Sequence, residues 1–145
     1  MPNRSGSRPE RRTALGSEWR GAEPPTFDGV DFDRFTVVLL VTPDDPLQLS
    51  EEEADRLQDA HLSHLADLHE SGVLLAAGPL GDPSGRRHYR GLSVLRCEPG
   101  EALRLKGEDP AVRAGVFELV AMPWMLPAGA IHFTPTTFPR STRDV

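Results

Sequence analysis

Three histidines, His61, His64 and His69, fall within the stretch AHLSHLADLHESG, Ala60 to Gly72. An imidazole with an ordinary pKa of about 6.5 can take or give a proton near neutral pH. Each of the three is therefore a candidate acid or base. A spacing of three on a helix also lets His61 and His64 reach one metal ion. A catalytic zinc needs a third protein ligand, and no His-Glu-x-x-His pattern supplies one. His88, Asp109 and His132 are conceivable additions but complete no recognised pattern, so neither a metal nor a cofactor is expected. Asp109, followed by Pro110, is a carboxylate with two open readings. It can open a turn. It can also bond one ring nitrogen of a histidine, which fixes the tautomer and makes the other nitrogen a better base.

These groups need a scaffold. Ser50 followed by Glu51, Glu52 and Glu53 predicts a helix start, with a capping serine, a capping box through Glu53 and acids at the positive end of the dipole. The helix should run to about Ser71 and stop at Gly72. Its apolar stripe is Ala54, Leu57, His61, Leu65 and Leu68. His61 thus lies in the buried stripe, either as a packed core residue or as a site residue. His64 lies one step on, at the helix surface or a pocket rim. His69 sits in the last turn, near solvent.

Around that helix, FTVVLLVT (Phe35 to Thr42) reads as a central strand covered on both faces. Val73 to Leu80 is a second strand, GDPSGRR a turn-rich connection, and His88 to Cys97 a third strand. Glu98 to Lys106 is a second helix with Pro99 in its first turn, Asp109 to Gly115 a helical turn, and Val116 to Trp124 a fourth strand. The order is βαββαβ, an α+β ferredoxin-like arrangement. Two helices on one sheet face leave the other bare, and a second copy is the natural cover. A dimeric α+β barrel, formed by a homodimer, is expected. The domain spans 34–125, between an N-terminal extension over 1–33 and an extended tail over 126–145.

Further residues carry possible contacts. The glycines and arginines of GPLGDPSGRR could hold an anion, but the stretch lacks the Lys-Ser/Thr ending of a phosphate loop. It reads as a hairpin loop with Arg86 and Arg87 in solvent. Arg113 either orients an anionic group or is a surface charge at a helix end. Tyr89, Met122 and Trp124 either line the pocket or, for the tryptophan, pack in the core or dimer interface. Ile131, Phe133 and Phe138 in the tail could cover a partner subunit. Cys97 is expected as a small buried or half-buried strand residue.

The chain has 145 residues and a net charge of −6. That charge argues against nonspecific nucleic-acid binding, which needs a basic face. Arg4, Arg8, Arg11 and Arg12, and Arg140 and Arg143, read as solvated ends. No run is apolar and long enough to span a bilayer, and the basic N-terminal stretch lacks the apolar core of a secretory signal. One cysteine fits a reducing compartment, so the expected location is the cytoplasm.

Three blocks in order, AHLSHLADLHESGVLLAAGPL, RGLSVLR and EDPAVRAGVFELVAMPW, resemble the YCII-related family of small dimeric α+β barrel proteins. The resemblance implies an active-site pair of a first-helix histidine and an aspartate in the Asp-Pro step, which fall on His61 and Asp109. It implies proton transfer on a small cyclic metabolite, as in relatives that are dehydrochlorinases; His64, which the family pattern does not demand, and Arg113, Tyr89 and Trp124 are the candidate substrate contacts from the reading of the residues themselves. Family members often carry an arginine three residues before the histidine; Gln58 stands there. The alternative function is a non-catalytic dimer that binds a small ligand or partner protein.

Overall fold

The computed structural model describes residues 29–145. Most of the expected N-terminal extension, including Arg4, Arg8, Arg11 and Arg12, lies outside the described residues. Strand β1 spans Phe32–Val41, helix α1 Glu51–Glu70, β2 Leu74–Pro79, β3 Tyr89–Leu95, α2 Pro99–Lys106, α3 Pro110–Arg113 and β4 Glu118–Pro127. The four strands form one antiparallel sheet in the order β2-β3-β1-β4, the ferredoxin-like order. Among the described residues, no helix is long and apolar enough to cross a membrane.

β1 is central, paired to β3 on one side and β4 on the other. It begins at Phe32 rather than Phe35, and β4 runs to Pro127 rather than Trp124. The two extensions are each other's partners: Phe32 opposes Pro127, Asp33 opposes Leu126 and Arg34 opposes Met125. Asp33 and Arg34 interrupt the apolar run, so only the pairing reveals them as strand.

α1 starts as its sequence demands. The Ser50 hydroxyl accepts from the Glu53 amide at 3.2 Å, and the Glu53 carboxylate accepts from the Ser50 amide at 3.4 Å. Gly72 takes a φ of 89°, a left-handed conformation that a Cβ would strain, and so ends the helix cleanly. Ala54 is exposed and Leu57 half-buried; burial begins at His61 and continues through Leu65, Ala66 and Leu68. Leu65 and Leu68 pack on Val38, Leu74, Leu95 and Ala102 to form the main core. A smaller cluster of Leu40, Ala111 and Phe117 lies beside His61.

The opposite sheet face is apolar and partly open. Phe35, Val37 and Leu39 of β1 oppose Trp124, Met122 and Val120 of β4, and these last three stay exposed. The tail folds back on its own chain. Phe133 meets Phe35 edge-on at 5.2 Å, and Phe138 stacks on His69 at 4.0 Å. Arg140 bridges Asp67 and Glu70 on α1, and the Thr142 amide donates to Asp59.

Candidate active site

His61 projects from α1 toward the N-terminus of α3, where Asp109 is the capping residue. One oxygen of Asp109 accepts from the Ala111 amide at 2.9 Å; the other accepts from Nδ1–H of His61 at 2.5 Å. The two readings of Asp109 are therefore one arrangement, with one oxygen for each role. Because an ionised carboxylate only accepts, the proton of a neutral His61 sits on Nδ1 and leaves the lone pair on Nε2. Nε2 has no protein partner among the described residues, and His61 lines a cleft of about 600 Å³. That volume suits a small molecule.

Burial alone would raise the carboxyl of Asp109. The His61 hydrogen bond and charge, the Ala111 amide and Lys106 outweigh it, so the group is held below the ordinary carboxylate value. Lys106, in the last turn of α2, is fully buried, and its Nζ finds no hydrogen-bond acceptor among the described residues. Burial pushes its ammonium down to about 8, with the charge of Asp109 opposing that fall. Such a displacement corresponds to roughly 3 kcal/mol of unfavourable charging below that pH. Between about 8 and 10.5 the unfolded chain binds more protons than the native one, so this penalty fades as pH rises. Lys106→Met should therefore raise stability at pH 7 by about 1–3 kcal/mol in urea unfolding, the gain shrinking toward pH 10. The same variant should raise the carboxyl of Asp109, which loses a neighbouring cation.

The walls of the cleft come from α1, the β2–β3 hairpin, Phe117 and the tail residues Phe138, Pro139 and Thr142. The Phe117 ring lies 5.5 Å from the His61 ring, and the Arg90 guanidinium sits 5.3 Å over the Phe117 ring. Of the candidate contacts, Tyr89 lines the cleft at half exposure, and Gln58 lines it from α1. His64 turns toward α2, where its Nε2–H donates to the Leu105 carbonyl at 3.1 Å. Arg113 is exposed at the end of α3, and Trp124 lies on the open sheet face, 6.5 Å from Phe35. None of these three lines the cleft. His69 uses both ring nitrogens: Nδ1–H donates to the Leu74 carbonyl, and Nε2 accepts from the Thr136 amide.

Lys106, Phe117 and Arg90 escape a reading of the sequence. Arg90 is the extra residue of a bulge, since Leu40 opposes Gly91 while the next residue, Val41, opposes Tyr89. Simple alternation cannot place such a residue. Cys97 is half-buried just after β3. Burial, then Glu101 and Glu98, push its thiol up to about 11, so it is no nucleophile near neutral pH. Among the described residues no three metal-ligating side chains gather where one ion could be shared.

The YCII-related domain model matches residues 36–124, the four strands, the three helices and both members of the His61–Asp109 pair. This chain belongs to the YCII-related family. The matched span starts within β1 and ends at Trp124, inside β4, so the YCII-related domain accounts for almost the whole sheet while the tail that walls the cleft lies beyond it. No curated protein matches the chain.

Proposed function

We propose that this YCII-related protein is a cofactor-free lyase or isomerase, of dehydrochlorinase type, that moves a proton on a small cyclic metabolite. The observation that carries the reading is the buried His61–Asp109 hydrogen bond with Nε2 left open at a cleft. In the elimination, Nε2 takes the hydroxyl proton of a keto tautomer of the ring, in which the chlorine-bearing carbon is tetrahedral. The O–H electron pair becomes a C=O bond, the conjugated C=C pair shifts toward the chlorinated carbon, and chloride leaves with its own pair to give the quinone. The imidazolium that forms is stabilised by Asp109 and later gives its proton to water. In the isomerisation the proton comes from one ring carbon and returns to a different carbon. Both steps balance without an oxidant or reductant.

The working unit of this reading is a homodimer in the cytoplasm. Val120, Met122 and Trp124, side by side with Val37 and Leu39 on the open sheet face, supply an apolar surface of the kind a second copy covers. The net charge of −6 fits a small-molecule ligand rather than nucleic acid.

The test is turnover of a panel of chlorinated hydroquinols and muconolactone-type lactones in deuterated buffer. The expected result is chloride release or deuterium uptake into recovered lactone with wild type, and neither with His61→Ala. Equal rates for the two proteins would remove His61 from the mechanism. Ligand-dependent melting shifts with every compound recovered unchanged would favour the binding module.

A further inference from the structure

We propose that the cleft takes a ring compound bearing a carboxylate, held by Arg90 and Arg87 on the β3 wall while its reacting group lies against His61. The proposal rests on the proton-transfer reading and names the substrate class that the same cleft selects.

Both arginines line the cleft, and each is placed by an irregular backbone. Arg90 is the bulged residue of β3; bulges re-aim a side chain that regular alternation would send elsewhere, and they recur beside functional sites. Arg87 has a φ of 54°, a left-handed conformation that strains a residue with a side chain. It is held there from the end of β1: the Thr42 hydroxyl donates to the Arg87 carbonyl at 2.6 Å, and the Thr42 amide to the His88 carbonyl at 2.8 Å.

Among the described residues neither guanidinium has a carboxylate partner, whereas Arg104 and Arg140 both do. Asp82, the carboxylate on the same rim, is taken up by the Ser84 amide and hydroxyl and by the His88 amide. Arg90 is half-buried, and its guanidinium is made harder to charge by burial and then by Arg87. Two like charges that line one cleft, in a chain of net charge −6, would both be relieved by a bound anion.

The ring requirement comes from Phe117. It touches Arg90 on one side and His61 on another, so guanidinium and imidazole are no further apart than the sum of those two distances. Guanidinium and imidazole thus lie against the same part of the cleft, where Phe117 and Tyr89 offer a ring aromatic walls.

The experiment is an NMR titration of the full chain with benzoate and with benzamide, which has the same shape and no charge. Benzoate should bind in the millimolar range and shift the amides of Tyr89, Arg90 and Gly91, with benzamide about tenfold weaker. Arg90→Gln should weaken benzoate about tenfold and Arg87→Gln about threefold, while Arg90→Lys should recover part of the loss. Equal affinity for benzoate and benzamide overturns the proposal. So does Arg90→Gln binding as wild type with an intact spectrum, or no benzoate binding at about 20 mM. Benzoate bound as expected by a protein without turnover keeps the anion site and rejects the proton-transfer reading. Turnover confined to uncharged rings and insensitive to Arg90→Gln does the reverse.

Discussion

Asp109→Asn should lower the stability of the fold by about 3–5 kcal/mol at pH 7, a fall in Tm of about 10 °C or more. The substitution barely alters size, so packing is not the cause. Asp109 is fully buried, and its two oxygens serve two donors, His61 Nδ1–H and the Ala111 amide. An asparagine can keep one acceptor oxygen for Ala111, but its amide group then faces the His61 N–H, donor against donor. The imidazole must flip its tautomer or leave, and the buried ammonium of Lys106 loses the negative charge opposing its desolvation. Each outcome strands a polar group away from water. The pH dependence has a defined sign. The carboxyl of Asp109 is lower in the native state than its ordinary value of 3.8. Its contribution is therefore fully present above that value and is lost as pH falls through the native one. Urea unfolding of the two proteins at pH 7 and near pH 3 should show a wide gap that narrows with acid. A gap under about 1 kcal/mol at pH 7 would mean that Asp109 is not the counter-charge of this core.

His61→Gln should cost turnover about 10²- to 10⁴-fold, the usual contribution of a positioned acid or base. The loss should fall on kcat, with KM little changed, because in the proposed mechanism the imidazole acts on the proton in flight more than on the bound ring. Stability should move less than in Asp109→Asn, since the glutamine amide can still donate to Asp109. Combining the two substitutions should add little to the catalytic loss of either one, as expected of groups that act as a unit. Steady-state kinetics on the best substrate of the panel checks both points, and fully multiplicative losses would mean independent roles.

Much of the scaffold was readable because local and tertiary signals agree. Ser50 with Glu53, and Gly72, bound α1, and the β-branched run marked β1 as a central strand, though only its helical face is fully covered within one chain. The site was readable in half. His61 stood out as an ionisable residue in a leucine stripe, and Asp109 through the Asp-Pro step. Arg90 did not stand out, because a bulge sets its direction, and Arg87 stood only as a hairpin-loop arginine, its place at the cleft being set by a left-handed backbone. Lys106 was invisible because its burial depends on how α2 packs, and a lysine in a last helical turn ordinarily reads as a dipole partner. Trp124 was decidable in principle. Leu119 and Ala121 face the helical side, so two-residue alternation puts Val120, Met122 and Trp124 on the other.

The most direct measurement is a long-range 1H–15N spectrum of the histidine rings in the full chain. His61 should appear as the Nδ1–H tautomer with its ring proton far downfield, and that signal should be lost in Asp109→Asn while His64 keeps its Nε2–H pattern. A His61 ring protonated on Nε2 with a bare Nδ1, or a spectrum indifferent to Asp109→Asn, would contradict a base held by that carboxylate and facing the cleft.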